Sequence, residues 1–490
     1  MRSGAEYLAA LRDERHVIVN GERVESVGEH PAFRGVCRSI AWMFDFAADP
    51  ANGMIAPAPF ATSGVNRIYL APTSPDELRA RRDAIAKWAR LSYGFIGRGP
   101  DHVASFLAGF ASNPEVFNRA GAQFGDNVRR FHRETASQGL YVAYVIIPPQ
   151  FDRSKTAKDW EDRFIQVGVV TERDDGIVVR GAQMLGTAAS IADYLFVSCI
   201  VPLRAGDEDY ALSFVVPIAA PGLKLYCRRP YAPSATSVFD YPLSTRFDES
   251  DALVVFQDVF VPWENVFVYR NIELVRAQFF ETPAHILGNS QAQIRLIEKV
   301  KFMLGLARKM AAATAVDQIP TVQEKLGQLA SLAAIIEGMT IAAEATAIIT
   351  NGVACPNRRF LYGAMGLQSE LYPRILHLCR ELAGGGFLQV PSSSREFLTD
   401  DMGHDLQTYL RAATVNAKDR VKLFKATWDA VGSEFGGRHH QYEMFYAGAP
   451  HVASGYAFRN YGYEEAVAIA EQFLASYDLD VTKESAQGGA

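Results

Sequence analysis

The spacing of the apolar residues changes twice along this 490-residue chain, and that double switch limits the fold more than any other feature. Up to about Tyr141 they recur at helical intervals. In SPDELRARRDAIAKWARLSYGF, Ser74 and Glu77 stand at capping-box spacing before an amphipathic run, and DHVASFLAGFAS is closed by Asn113 and Pro114. From about Val145 to Tyr269 the period falls toward two. RFIQVGVVTE, DGIVVRGAQML, YLFVSCIVPL, YALSFVVPI, LKLYCRRPY and LVVFQDVFV are rich in Val, Ile, Phe and Tyr and are separated by turn residues such as Asp-Asp-Gly and Pro-Gly. They predict an antiparallel β unit of about six to eight short strands. After VPWENVFVY the helical period returns, predicting helices over Gln293–Ala315, Val322–Thr350, Arg358–Ala383, Met402–Val431 and Glu464–Tyr477, packed as an antiparallel bundle. The expected organisation is α+β: an N-terminal helical domain over 1–144, a central antiparallel β-barrel domain over 145–270, a C-terminal helical bundle over 271–477 and a polar tail over 478–490.

Composition narrows the partners. Lys plus Arg number 49 against 55 for Asp plus Glu, a formal charge of −6 with no basic stripe, which argues against nucleic acid. The five cysteines (Cys37, Cys199, Cys227, Cys355, Cys379) form no CxxC pair, so neither a disulfide framework nor a zinc knuckle is expected, and a reducing, cytoplasmic setting fits. The N-terminus lacks the apolar core of a signal peptide. The most apolar stretch, Leu329–Ile349, is interrupted by Glu337 and Glu344 and reads as a buried bundle helix rather than a membrane span.

The sequence holds no GxGxxG after a strand, no Walker A, no GxSxG and no HExxH. A redox enzyme with this sequence would therefore not hold a nicotinamide in a Rossmann domain. Three segments could carry chemistry. In Tyr93–His102 (YGFIGRGPDH), Pro100 opens a helix with Asp101 and His102 in its first turn beside Arg98, which reads either as an anion or phenolate site or as a capped helix start. In Gly139–Lys155, an extended run enters Pro148-Pro149 and emerges with Asp152, Arg153 and Lys155, a turn for a diphosphate or a charged surface loop. In Trp428–His440, Gly436 and Gly437 beside Arg438 allow close backbone approach to an anion. Adjacent His439 and His440 point apart, so no metal is expected there. Gly384-Gly385-Gly386 reads as a helix end and turn.

Taken together, YGFIGRGPDH, GLYVAYVIIPPQFDRSK, DYPLSTRFDESDALVVFQDVFVPWENVFVYR, VPSSSREF and WDAVGSEFGGRHHQYE resemble the oxygenase component of the 4-hydroxyphenylacetate 3-monooxygenase family, from about residue 5 to about residue 477. The resemblance implies an acyl-CoA dehydrogenase-like fold, which the helix–strand–helix order also suggests, and a homotetramer. It implies a two-component system. A separate NAD(P)H:flavin reductase supplies reduced FAD, and the oxygenase uses it with O2, through a flavin C4a-hydroperoxide, to hydroxylate a phenol ortho to its hydroxyl. A phenol needs an acceptor or cation near its oxygen, and the oxidant must be kept dry.

Carried over by position, Arg98 matches the family's Arg, while His102 stands where 4-hydroxyphenylacetate enzymes carry Tyr and Tyr144 where they carry His. The two side chains are exchanged, which leaves either swapped roles or a different substrate. A related branch acting on chlorinated and nitrated phenols draws a His from the region of His285 (FFETPAHILGNSQ). The candidate bases are thus His102 and His285, with Tyr144 as donor or acceptor. The resemblance maps flavin contacts to Tyr144, Val145 and Ile146, to Gln150, Asp152 and Arg153, and to Thr187. It maps diphosphate contacts to Ser433, Phe435, Gly436, Gly437 and Arg438, in the same or a neighbouring subunit. The turn VPLRAGDED matches the variable substrate loop and makes Val201, Pro202 and Arg204 substrate candidates. Halophenol or nitrophenol oxygenation and natural-product tailoring, on free or carrier-bound phenols, are alternatives within the family. An iron–sulfur 4-hydroxybutyryl-CoA dehydratase would need three Cys and a His near flavin, and Arg98 and His102 occupy the segment where two of the Cys would fall. An acyl-CoA dehydrogenase proper would need a Glu base. A non-catalytic binding protein would show no affinity for FAD.

Overall fold

The computed structural model describes residues 1–477. Helices fill most of residues 34–138 and again of 272–474, and eight strands joined by loops and short helical turns lie between, over 142–268. The strands build two stacked sheets rather than a closed barrel. One has six strands in the order Glu22–Arg23, Val17–Val19, Leu223–Cys227, Ala252–Pro262, Gly176–Gln183, Gly168–Arg173, and the other has four, Val266–Val268, Ser213–Pro217, Tyr194–Val197, Val142–Val145. The pairing is not wholly antiparallel: Val17–Val19 runs parallel to Leu223–Cys227, and Val142–Val145 parallel to Tyr194–Val197. Both of these strands are short edge or near-edge additions from the N-terminal part of the chain, where three or four residues give a period-two pattern too little length to register.

The long strand Ala252–Pro262 shows how the sandwich stays in phase. Its inward residues are Ala252, Val254 and Phe256, then Val259 and Val261, because one extra residue is inserted between Phe256 and Val259. Asp258 takes the positive φ of 55° that this bulge requires. Without it the second half of the strand would turn its apolar side chains outward. Between the sheets Phe256 meets Phe214 edge to face at 6.1 Å.

The central column of the C-terminal helices is Ala284–Ala313, 30 residues long and buried over most of its length. Helix Pro100–Ser112 crosses it so closely that a Cβ on Gly109 would run into the backbone of Ala284, and one on Gly288 into the ring of Phe106. Two of the predicted helices end differently. Val322–Thr350 is instead a helix over Pro320–Ala345 followed by the hairpin Ile348–Thr350/Val353–Cys355, turned by Asn351 and Gly352 at φ 50° and 77°. Met402–Val431 is split into Asp400–Tyr409 and Ala417–Val431, the second capped by Asn416, whose side chain accepts from Asp419 N at 2.8 Å. Pro320–Ala345 is long and apolar enough by length and composition to cross a membrane, with mean hydropathy 1.5 over 18 residues. It is not the buried helix the sequence predicts. Only 22% of that window is buried, and Ile335 and Ile341 face outward, because the helix packs on the bundle through a single face.

Candidate active site

Helix Pro100–Ser112 starts as the sequence predicts, with Gly99 at the N-cap and Pro100 in its first turn, where a missing N–H costs nothing. This brings Arg98, just outside the helix, onto His102 one turn in. Arg98 Nη1 donates to His102 Nε2 at 2.6 Å, and His102 Nδ1 lies 3.1 Å from Gln291 Oε1. Gln291 Nε2 in turn donates to Asp101 Oδ2 at 3.0 Å. The backbone of Arg98 is fixed on both sides, its N–H donating to Glu249 Oε1 at 2.6 Å and its carbonyl accepting from the Tyr141 hydroxyl at 2.5 Å.

Around the Arg98 guanidinium stand three phenol rings, Tyr446 at 4.5 Å, Tyr144 at 5.0 Å and Tyr442 at 5.3 Å. The His102 ring lies 5.2 Å from Tyr144 and 5.3 Å from Phe106. His102 is fully buried. Burial, and then the charge of Arg98, hold its pKa well below that of a free imidazole, so it is neutral across the physiological range. Burial also raises the Asp101 carboxyl, to about 6. Tyr442 and Tyr446 are likewise pushed up by burial, against the pull of Arg98, and stay protonated.

Two other arginines approach Tyr442, and each is neutralised by carboxylates. Arg438 pairs with Asp251 at 2.7 Å and reaches Glu249 at 3.4 Å. Arg295 pairs with Glu443 through both nitrogens, at 2.7 and 2.8 Å, and Lys299 joins the same carboxylate at 2.8 Å. Arg98 differs from them, since among the described residues its side-chain partners are an imidazole and aromatic rings, with no carboxylate in salt-bridge range. A cation so placed is suited to an anionic oxygen.

The polar chain continues from Arg98 through Glu249 and Arg438 to Asp251, and from there to Thr187, whose hydroxyl donates to Asp251 Oδ1 at 2.6 Å. Against its burial, Arg438 and Arg228 hold the Asp251 carboxyl far below its usual range. The structure therefore joins Arg98, His102, Tyr144, Thr187 and Arg438 in one network. Thr187 lies in a tight loop whose flanking Leu185 and Ala188 have φ of 58° and 63°.

The other predicted residues fall elsewhere. His285 is buried among Phe280, Tyr456 and Tyr362, with Nδ1 2.9 Å from the Tyr362 hydroxyl, and burial brings its pKa down to about 3. It leaves helix Ala284–Ala313 on a different face from Gln291. The Val145 and Ile146 side chains belong to the core. Gln150 and Arg153 are exposed beyond Pro148-Pro149, and Asp152 accepts from Ser154 N at 2.9 Å. Val201, Pro202 and Arg204 lie exposed on the loop after strand Tyr194–Val197. Buried Asp207 ties that loop to the preceding one, accepting from Arg204 N at 2.8 Å and Lys158 N at 2.9 Å.

Of the mapped residues Ser433, Phe435, Gly436, Gly437 and Arg438, only Gly437 is exposed. Ser433 caps helix Glu434–Met444, Phe435 packs on His439 and Phe95, and a Cβ on Gly436 would meet Ala430 O at 2.8 Å. Gly436 thus serves the packing of this chain and Arg438 its ion pairs. Sequence reasoning missed Gln291, Tyr442, Tyr446 and Glu249. Glu249 and Tyr442 sat inside recognised blocks but were not singled out, whereas Gln291 lies on helix Ala284–Ala313 and Tyr446 in the turn after helix Glu434–Met444, where only the packing decides what each side chain meets.

The two models of the 4-hydroxyphenylacetate 3-hydroxylase family match the chain, the N-terminal one over residues 3–268 and the C-terminal one over residues 275–475. The 4-hydroxyphenylacetate 3-monooxygenase oxygenase component of Pseudomonas aeruginosa is 35% identical, over 97% of this chain and 93% of that protein. A Streptomyces globisporus monooxygenase named for (3S)-3-amino-3-(3-chloro-4-hydroxyphenyl)propanoyl on a peptidyl-carrier protein is 37% identical, over 91% of this chain and 85% of that one. A crystal structure of the oxygenase component of 4-hydroxyphenylacetate 3-monooxygenase with FAD and 4-hydroxyphenylacetate superposes with a TM-score of 0.91, at 33% identity, covering 97% of this chain and 99% of that chain.

Proposed function

The chain belongs to the 4-hydroxyphenylacetate 3-hydroxylase family, and from that premise we propose that it is the oxygenase component of a two-component aromatic monooxygenase. Its reaction puts one atom of O2 on the ring of a phenol, ortho to the hydroxyl, with reduced FAD delivered by a separate NAD(P)H:flavin reductase. The observation that carries this reading at the level of residues is the Arg98 guanidinium, which has no carboxylate in salt-bridge range among the described residues and is held by a neutral, buried imidazole.

The donors on this chain fit a flavin. The exposed side chains of Gln150 and Arg153 follow the Pro148-Pro149 turn and suit a diphosphate, while the Thr187 loop and the end of strand Val142–Val145 suit the ring system. Arg438 is already neutralised and forms the wall behind them. When bound, reduced FAD supplies the two electrons that let O2 give one oxygen to the ring and the other to water.

The protein's own share is electrostatic. Arg98 binds the phenol oxygen and favours its ionised form, which makes the ortho carbon electron-rich enough to attack. His102 Nε2 aims Arg98. An imidazolium beside Arg98 would be costly in this buried place, so His102 works as an acceptor that orients the guanidinium rather than as a strong base. Tyr144, Tyr446 and Phe106 exclude water from the ring. To Arg204, exposed on the loop held by Asp207, we assign the far end of the substrate.

The substrate is a free or carrier-bound phenol. Five free cysteines and dependence on a reductase fit the cytoplasm. The outward faces of Pro320–Ala345 and Glu464–Leu474, with Ile341, Ile469 and Phe473 exposed, are the surfaces we assign to tetramer contacts. To test the function, the protein is incubated with O2, a generic flavin reductase, NADH and FAD, and with 4-hydroxyphenylacetate, 4-nitrophenol and chlorinated phenols in turn. A catechol or quinol from at least one phenol supports the reading, while flavin-dependent peroxide production alone with every phenol opposes it.

A further inference from the structure

Helices Pro100–Ser112 and Ala284–Ala313 meet along a ladder that runs in opposite directions on the two. Gly109 faces Ala284, Phe106 faces Gly288, and one turn nearer the site His102 faces Gln291. Residues 102, 106 and 109 share one side of their helix, as do 284, 288 and 291 of theirs. The two contacts without a Cβ let the backbones close up, and that approach sets the distance between His102 and Gln291.

We infer that Gln291 is a positioning residue for the reaction proposed above: pinned by Asp101, it fixes His102 with its proton on Nδ1 and its lone pair on Nε2, aimed at Arg98. The inference rests on that proposed function, and each link in it forces the next. An ionised Asp101 only accepts, so the Gln291 amide nitrogen must face it, at 3.0 Å. The amide oxygen, also only an acceptor, is then turned to His102 Nδ1 at 3.1 Å, which must carry the hydrogen. Nε2 is left to accept from Arg98 Nη1 at 2.6 Å. Reversing the amide would place a hydrogen on Nε2 against the donors of Arg98, two donors in contact where water does not reach.

Asp101 is the anchor of this chain. Facing it are Gln291 and Arg295 from helix Ala284–Ala313, Arg81 from helix Pro75–Leu91, and the hydroxyls of Tyr69 and Tyr141. Arg81 donates to Ser105 Oγ, which donates to the Asp101 carbonyl. The carboxyl, raised by burial to about 6, is ionised above that pH and gains a proton below it, which releases the constraint on the amide.

The test uses Gln291→Leu, Gln291→Glu and Asp101→Asn in the full chain. One readout needs no flavin: binding of 4-nitrophenol, followed by its phenolate absorbance. The other is the pH profile of kcat/KM for the phenol that the wild-type protein turns over best. Gln291→Leu is expected to weaken 4-nitrophenol about tenfold and to lower kcat/KM by about ten- to hundredfold, with reduced-FAD affinity unchanged. Gln291→Glu keeps the size but sets a second carboxyl beside Asp101 and His102, which pushes one of these groups up and moves the acid limb of the profile to higher pH. Asp101→Asn removes the limb near pH 6. A role in packing alone would leave the pH profile of Gln291→Glu on that of wild type, and that result overturns the inference. It is equally overturned if Gln291→Leu binds 4-nitrophenol within twofold of wild type. If Gln291→Leu does not fold, Gln291→Glu decides alone. Wild-type protein that turns over no phenol would count against the proposed function instead, and the flavin-free titration would still decide on Gln291.

Discussion

Replacing Arg98 with Met keeps most of the side-chain length and removes the charge that the site reserves for the substrate. Arg98 lacks a carboxylate among the described residues, so its field falls on whatever anion enters the ring of Tyr144, Tyr442 and Tyr446. Two unit charges about 4 Å apart interact by about 4 kcal/mol at an effective dielectric of about 20. Some of that is offset by stripping water from the phenolate. A hydrogen bond to a charged group contributes about 1.5–3 kcal/mol net, so about 2–3 kcal/mol is expected for Arg98. That corresponds to a bound phenol whose pKa is about two units lower than without it. In the assay, 4-nitrophenol is titrated with pH in the presence of excess flavin-free protein, and ionisation is read from phenolate absorbance. Wild-type protein should shift the midpoint to lower pH by about two units, and Arg98→Met should return it to that of free 4-nitrophenol or above, with kcat/KM falling by about thirty- to hundredfold. If Arg98→Met folds, binds the phenol and leaves the midpoint where wild type puts it, the electrostatic account of this site is refuted.

Three further outcomes follow from the geometry. Glu443→Leu leaves Arg295 and Lys299 buried without their carboxylate and should destabilise the fold by about 3–5 kcal/mol in urea unfolding. In the wild type, against burial, Arg295 and Lys299 hold this carboxyl at about 2, so its stabilising share is complete above the unfolded pKa of about 4.3 and is lost as pH falls toward 2. Gly109→Val drives a side chain into the backbone of Ala284 and should cost about 1–3 kcal/mol by the same measurement, together with loss of phenol turnover as His102 and Gln291 part. Arg204→Ala should raise the KM for the phenol without changing reduced-FAD affinity in fluorescence titration, and an unchanged KM removes Arg204 from the site.

Much of this architecture is legible in the sequence, because the switch from helical to strand period and back is sustained over long segments. The losses have identifiable causes. The Asn351-Gly352 pair is a strong two-residue hairpin signal, yet it lies at the end of an apolar run that reads as helix through Thr350. The barrel expectation failed because strand segments alone do not reveal which edges close: Val17–Val19 is too short to announce itself, and the extended run at Val142–Val145 does not show its parallel partner. In the site, Arg98, His102 and Tyr144 stood out because their segments carry the family resemblance, and the structure joins them. Gln291 gave no sign, being one polar residue in a helix where buried polar side chains are common and where the partner is set by a crossing with helix Pro100–Ser112. Of the glycines beside Arg438, the close backbone approach legible in the sequence is met at Gly436 by Ala430 of the same chain, while Gly437 stands open.

The central claim, that this chain transfers oxygen from O2 to a phenol ring, is tested most directly with 18O2. The protein is supplied with reduced FAD and its best phenol under labelled oxygen, and the product is analysed by mass spectrometry. The account predicts one labelled atom in the new ring hydroxyl, ortho to the original. Unlabelled product formed in the presence of 18O2, or label found only in hydrogen peroxide with the phenol untouched, would contradict it.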